Sequence, residues 1–316
     1  MKIIGFRQYL KTDKSYGDFL KIIFETESLF NSDKDVRFIS AICGDNPKKF
    51  LKKNLIKNAQ LIEAISSEYK VCAAKTIKKL DLKKKVILIY YGAQKLGLTF
   101  PMALLCEVAS RLNAKILGIS DSDFQIPYSA IKRSFFDAKE KICNNKKATL
   151  YLPFRSHRSL ELQNYPINRF AVEDIENAYY RIVTNDRSKE NLDLQSGLCF
   201  LNKSAIKLLD FSNVPRWTGN INIAVQIKKK GNVVKGITID TNPQNESTIS
   251  PDVQFKKINE LENSYGYKLL EAIGFVLKNP DFLMSDWKSN KSKKEIAEIL
   301  NEIVIGYEKY KKSRKA

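Results

Sequence analysis

Lys115-Ile116-Leu117-Gly118-Ile119-Ser120-Asp121-Ser122-Asp123 decides how this chain is read. A short apolar run with strand character delivers two carboxylates, one residue apart, to the place where the strand ends. Side chains of an extended backbone alternate with period two, so Asp121 and Asp123 can point the same way. Two hard oxygen ligands facing one spot suit Mg²⁺ or Mn²⁺, an ion that keeps some waters and takes phosphate oxygens as further ligands. Strand ends are also where α/β folds bind their ligands.

The same spacing occurs at Asp33-Lys34-Asp35, where it precedes the apolar run Val36-Arg37-Phe38-Ile39-Ser40-Ala41-Ile42 instead of following it. There it reads as a solvated turn. Only the order, strand first and carboxylates after, separates the two.

Working outward, the first half alternates strand-like and helix-like segments. Strands are expected at Lys2 to Phe6, Val36 to Cys43, Val86 to Tyr91 and the run ending at Asp121. Helices are expected at about Tyr16 to Phe30, Pro47 to Tyr69 and Phe100 to Leu112. Continuous apolar strands alternating with helices imply a mostly parallel sheet covered on both faces, an α/β fold with right-handed connections. The segments Gly5 to Tyr9, Gly44 to Asn46, Gly92 to Gly97 and Asp121 to Asp123 then gather along one rim. Farther on, Thr149 to Phe154, Gly197 to Leu201 and Val233 to Ile239 read as strands, and from about Val253 the chain reads as helical and charged.

Composition narrows the class. The 316 residues are 43% hydrophobic, ordinary for a globular chain. No apolar run approaches the length of a membrane helix, and a charged residue interrupts Met1-Lys2-Ile3-Ile4-Gly5-Phe6-Arg7 before a signal-peptide core forms, which leads to the expectation of a cytoplasmic protein. Cys43, Cys72, Cys106, Cys143 and Cys199 show no paired spacing and read as buried free thiols. Lys and Arg number 54 against 35 Asp and Glu, a net charge of +19 that favours anionic partners. The lysines are spread rather than set in a stripe with interleaved aromatics, which argues against nucleic acid.

Gly92-Ala93-Gln94-Lys95-Leu96-Gly97-Leu98-Thr99 follows a strand, precedes a helix and comes within one residue of a phosphate-binding loop of the G-x-x-x-x-G-K-[ST] type. The missing residue is the lysine, replaced by Leu98. A loop whose glycines let backbone amides approach a phosphate, helped by Lys95, remains.

Together these segments resemble the donor half of a GT-A-fold glycosyltransferase, in its family-2-like branch with glucosyl-3-phosphoglycerate and mannosylglycerate synthases. The resemblance extends through Asp193-Leu194-Gln195-Ser196-Gly197-Leu198-Cys199-Phe200-Leu201-Asn202 and Trp217-Thr218-Gly219-Asn220-Ile221-Asn222-Ile223-Ala224 to Lys230-Gly231-Asn232. It implies a UDP- or GDP-sugar donor, a small-molecule or glycan acceptor, and a metal on Asp121 and Asp123. It further implies donor contacts from Gly92, Lys95, Gly97, Gln195, Ser196, Gly197 and Arg155. Asp193 is the carboxylate put forward for catalysis. Asn222 stands, with Asn220, where family members carry Glu or Asp, and Asp240-Thr241-Asn242 stands where a histidine often supplies a later metal ligand.

Arg155, His157, Arg158 and Arg169 form a cluster able to grip phosphate or carboxylate, with Glu173, Asp174 and Glu176 as partners for those arginines. The last helix, about Ser292 to Tyr310, carries an apolar stripe and a basic end, a shape that fits either its own domain or an anionic membrane surface. The sequence reading is therefore a sugar-transferring domain over residues 1–245 with a helical extension over 246–316. Its alternative is a catalytically impaired basic protein that binds nucleic acid or an anionic membrane.

Overall fold

The computed structural model describes residues 1–10, 17, 19–25, 33–44, 59–93, 96–121, 128–155, 167–188, 190, 192–194, 197–239, 251–279 and 292–314. Its strands are β1 (Lys2–Leu10), β2 (Val36–Gly44), β3 (Ala59–Glu63), β4 (Val86–Tyr90), β5 (Ile116–Asp121), β6 (Thr149–Arg155), β7 (Leu198–Asn202) and β8 (Val233–Ile239). They form one sheet in the order β3-β4-β2-β1-β5-β7-β6-β8. Only β7 runs against its neighbours, β5 and β6; every other pairing is parallel. The sheet is thus mixed and mostly parallel, as the alternating sequence implies.

The helices are α1 (Tyr69–Lys79), α2 (Thr99–Arg111), α3 (Tyr128–Ile142), α4 (Ile167–Thr184), α5 (Lys203–Leu208), α6 (Gly219–Lys229), α7 (Pro251–Tyr265), α8 (Leu269–Lys278) and α9 (Lys293–Ser313). The sheet is buried on both faces, and period two sorts its residues between them. Ile87 and Ile89 of β4 join a core with α1, α2, α4, α6 and the C-terminal helices. Val86, Leu88 and Tyr90 turn to the opposite face, under α3 and residues 19–23. In β5, Leu117 and Ile119 share the first face, so Asp121 follows them there.

One expectation needs correction. The segment from Pro47 to Tyr69 is not one helix: Ala59–Glu63 is an edge strand parallel to β4, and Tyr69 begins α1. Of this strand only Ile62 is buried, so its apolar signal is thin, and pairing with β4 overrides local preference. The acids Glu173, Asp174 and Glu176 lie on α4, and all three are buried. The chain packs α6, α7, α8 and α9 onto α4, which removes these carboxylates from water.

Asn202, the last residue of β7, ties the middle of the fold together. Its Oδ1 accepts from the backbone N–H of Thr149 (3.0 Å) and Ala205 (2.9 Å), while its Nδ2 donates to the carbonyls of Ile142, Asn145 and Lys147. One side chain thus caps α5 and fixes the end of α3 to the start of β6. The cysteines are unpaired thiols, and Cys43, Cys72, Cys106 and Cys199 are buried. Burial pushes the Cys72 thiol up to about 11 and that of Cys199 to about 12, so both stay protonated at neutral pH.

The apolar stripe of α9 faces inward. Leu300, Ile303 and Tyr307 are buried in the main core, and Ser292 and Glu295 form a capping box at the start of the helix. The stripe that could have lain on a membrane is the surface that holds α9 to the fold. No described helix is long and apolar enough to cross a membrane.

Candidate functional site

Asp121, the last residue of β5, and Arg7, in the C-terminal half of β1, are register partners on adjacent parallel strands. Residues at the same register of such strands point to the same face. Arg7 Nη2 lies 2.6 Å from Asp121 Oδ1 and 3.5 Å from the carbonyl oxygen of Gly197. The arginine side chain is 7% exposed and the aspartate 33%, so the pair opens to solvent from the carboxylate side.

Gly197 closes on the pair from β7. Its carbonyl accepts the Asp121 backbone N–H at 3.0 Å, and its φ of +73° lies in the left-handed region that glycine adopts without strain. A Cβ at this position would sit 2.6 Å from Asp121 Oδ2. The bare Cα keeps the second carboxylate oxygen clear.

A cavity opens above this pair. Besides Arg7, Asp121 and Gly197 it is walled by Trp217, Asn220 and Lys257, with Leu98, Leu194, Thr218 and Gly219 completing it. Gly219 and Asn220 are the first residues of α6, so the positive end of that helix faces the cavity. Asp121 is the single carboxylate among the described lining residues.

Gly92 and residues 96–99, at the end of β4 and the start of α2, lie at the neighbouring part of the rim. Gly97 has φ +85°, and a Cβ there would meet the Arg216 carbonyl oxygen at 2.6 Å. That same carbonyl accepts the Thr99 N–H at 2.9 Å. Glycine at 97 therefore lets the strand-to-helix loop lie directly on the segment leading into α6. Gly92 has φ +130°, and its carbonyl accepts the Gly44 N–H at 3.3 Å, which joins the ends of β4 and β2.

The remaining predicted site residues divide clearly. Asp193 is fully buried, one residue before the wall residue Leu194. Asn222 is buried in the second turn of α6, where its Nδ2 donates to the Thr218 carbonyl at 3.0 Å and to the Thr218 hydroxyl. Its Oδ1 accepts from the Tyr265 hydroxyl of α7. Asn220, not Asn222, faces the cavity. Arg155 ends β6, and its side chain lies outside the described residues, as do Lys95, Asp123, Gln195, Ser196, His157, Arg158 and the segment Asp240 to Asn242.

Arg7 and Lys257 are the charged wall residues that the sequence reading did not single out. For Arg7 a signal existed: it is the lone cation at the end of an apolar strand, and it reaches the rim if β1 and β5 start level. Lys257 sits in a lysine pair on a charged helix and carries no such mark.

Of the two aspartates that the resemblance assigns to a metal, Asp121 is the one described here. Arg7 engages one carboxylate oxygen, Gly197 leaves space at the other, and one or two carboxylates with water and phosphate oxygens suffice for Mg²⁺. Among the described residues no three His, Cys, Asp or Glu side chains cluster as a closed metal site.

No protein-family model matches the chain, and no curated protein matches it in sequence. Among solved structures, it is similar to glucosyl-3-phosphoglycerate synthase from Mycobacterium tuberculosis in complex with Mn²⁺, UDP-glucose and phosphoglyceric acid. That likeness has a TM-score of 0.44 and 11% identity, covering 84% of this chain and 80% of that one. S. aureus TarS 1-349 aligns at a TM-score of 0.45 and 10% identity, over 98% of this chain and 81% of that one. The galactosyltransferase LgtC in complex with donor and acceptor sugar analogues gives 0.35 and 11%, over 74% and 72%.

Proposed function

We propose that this chain is a metal-dependent glycosyltransferase that binds a nucleotide-diphosphate sugar, UDP- or GDP-linked, at the rim of β1, β5 and α6. The observation that carries this reading is the carboxylate of Asp121 at a strand end, held on one oxygen by Arg7 and left open on the other by Gly197. Asp121, with Asp123, would hold Mg²⁺ or Mn²⁺. Bound there, such an ion supplies charge neutralisation for the departing diphosphate.

The chain's own residues would do the rest. Arg7 fixes the orientation of Asp121, and the N-terminal end of α6 favours negative charge in the cavity. Trp217 and Asn220 would border the sugar and the acceptor. In transfer, the bond from the anomeric carbon to the diphosphate oxygen breaks, a bond to an acceptor oxygen forms, and the acceptor's hydroxyl proton passes to the departing diphosphate. Asp193 and Asn222 would act from behind the cavity, as positioning residues. In this reading residues 1–245 carry the donor site, and α7, α8 and α9 of the extension pack on α4, with Lys257 of α7 adding one wall of the cavity.

Titration calorimetry of UDP and GDP with and without Mn²⁺ tests the reading. Metal-dependent binding that disappears in Asp121→Ala is expected. Absence of metal-dependent binding of either nucleotide overturns it. A second reading, a basic binding protein without transfer activity, rests on the net charge of +19 and on the asparagines at 220 and 222. Steeply salt-dependent RNA binding that survives Asp121→Ala would favour it.

A further inference from the structure

A second cleft, of about 300 Å³, lies where α7 meets the end of α9. It is lined by Lys256, Asn259, Glu260, Tyr310, Lys311 and Arg314. Two of these residues touch Trp217, a wall of the rim cavity. Glu260 Oε2 accepts the Trp217 backbone N–H at 3.0 Å, and Lys256 Nζ stands 4.9 Å from the centre of the Trp217 ring. Lys256 and Lys257 are consecutive on α7, and one lines each cleft.

Three cations from two helices and one carboxylate thus line the cleft. Cations in the last turn of a helix have an ordinary reason to be there, since they offset the negative end of its dipole. That accounts for Lys311, which also pairs with Glu308, and for Arg314, whose guanidinium lies 5.8 Å from the Tyr310 ring centre. It does not account for Lys256, which comes from the first half of α7. The one acid, Glu260, is engaged with the Trp217 N–H, and burial raises its pKa against the pull of that bond and of Lys256. A cleft lined by a planar guanidinium and two ammonium groups, with Tyr310 in its wall, is a setting suited to phosphate oxygens.

We propose that this cleft binds a phosphate group, and that it holds the phosphate-bearing end of the acceptor whose other end passes Trp217 into the rim cavity. The acceptor role rests on the glycosyltransferase reading; the phosphate site itself does not. The same chemistry serves a soluble phosphorylated acceptor and an anionic lipid headgroup.

The test uses the full chain, its Lys256→Gln/Arg314→Gln variant and two probes. Tripolyphosphate is titrated without divalent metal, and vesicles of phosphatidylglycerol and phosphatidylcholine in equal parts are tested by co-sedimentation. The double variant, which keeps Lys311, should bind at least one probe about tenfold or more weakly, while its melting temperature and its Mn²⁺-dependent UDP or GDP binding stay unchanged. The weakened probe identifies the source, soluble phosphate or lipid headgroup. Equal binding of both probes by the two proteins, or binding of neither, overturns the proposal. A Lys256→Ala single variant giving the same direction of change separates loss of charge from misfolding. Failure of the donor reading would appear separately, as wild-type protein that binds neither UDP nor GDP with Mn²⁺.

Discussion

The guanidinium of Arg7 sits 2.6 Å from the carboxylate of Asp121, and the two are register partners on adjacent parallel strands. The arrangement follows from the start of each strand. Lys2 pairs with Ile116, so the fifth residue after each is level with the other, on the face that also carries Ile3 and Leu117. A nearly buried arginine with one open carboxylate partner orients that carboxylate without closing it off.

Arg7→Met keeps most of the side-chain volume and removes the charge. We expect a loss of about 1–3 kcal/mol in urea unfolding, because a charge-assisted bond disappears and Asp121 keeps only its contact with water. Both contacts come from one nitrogen, Nη2, so lysine should restore part of the loss, limited by its shorter reach and the stronger hydration of an ammonium. A double-mutant cycle with Asp121→Asn should show favourable coupling, and coupling near zero would refute a working pair.

Gly197→Ala should be costly for two separable reasons. The positive φ alone strains an L-residue by roughly 1–2 kcal/mol. The new Cβ also meets Asp121 Oδ2 at 2.6 Å, which forces the carboxylate aside. Pairing the substitution with Asp121→Ala removes the second reason and leaves the first. The double variant should therefore be less destabilised than the sum of the singles, as read by thermal unfolding. Strict additivity would mean that Gly197 does not set the position of Asp121.

Asn222→Asp would restore the residue type that the resemblance expects on this helix. The structure predicts that it fails. Asn222 Nδ2 donates to the Thr218 carbonyl at 3.0 Å, and an aspartate there would set a carboxylate oxygen against that carbonyl. The site is buried, so about 1–3 kcal/mol of stability should be lost with no gain in nucleotide binding or transfer. Asn220→Asp places the acid in the cavity instead and should leave the melting temperature nearly unchanged. If Asn222→Asp proves more stable than the parent, this account of the helix start is wrong.

These relationships mark how far the residues alone could be read. The apolar runs of β2, β4 and β5 are buried on both faces, so their composition announced a covered parallel sheet, and the rim followed from strand direction. What stayed hidden depends on contacts distant in sequence. The edge strand β3 has one buried residue and is defined by its partner. The acids of α4 look like surface residues until α7, α8 and α9 cover them. The difference between Asn220 and Asn222 lies in the rotation of one helix against Tyr265, which no local spacing reveals.

Asp186 offers the clearest pH test outside the site. It is buried beside Arg181 (3.5 Å) and Lys228 (3.1 Å) and accepts from the Tyr180 hydroxyl at 2.8 Å. Burial alone would raise its pKa, but hydrogen bonds from the Ser188 backbone, Tyr180 and Lys228 outweigh it and hold the carboxyl below its ordinary value. A carboxylate depressed in the folded state contributes stability that is complete above its unfolded pKa of roughly 4 and fades as pH falls toward the folded value. Asp186→Asn should cost about 2–3 kcal/mol near neutral pH, since Arg181 would be left buried without its acid. The gap between wild type and variant should hold from pH 7 to pH 5 and narrow below roughly pH 4. Urea unfolding of both proteins across that range measures it, and a gap that widens on acidification would contradict the assignment.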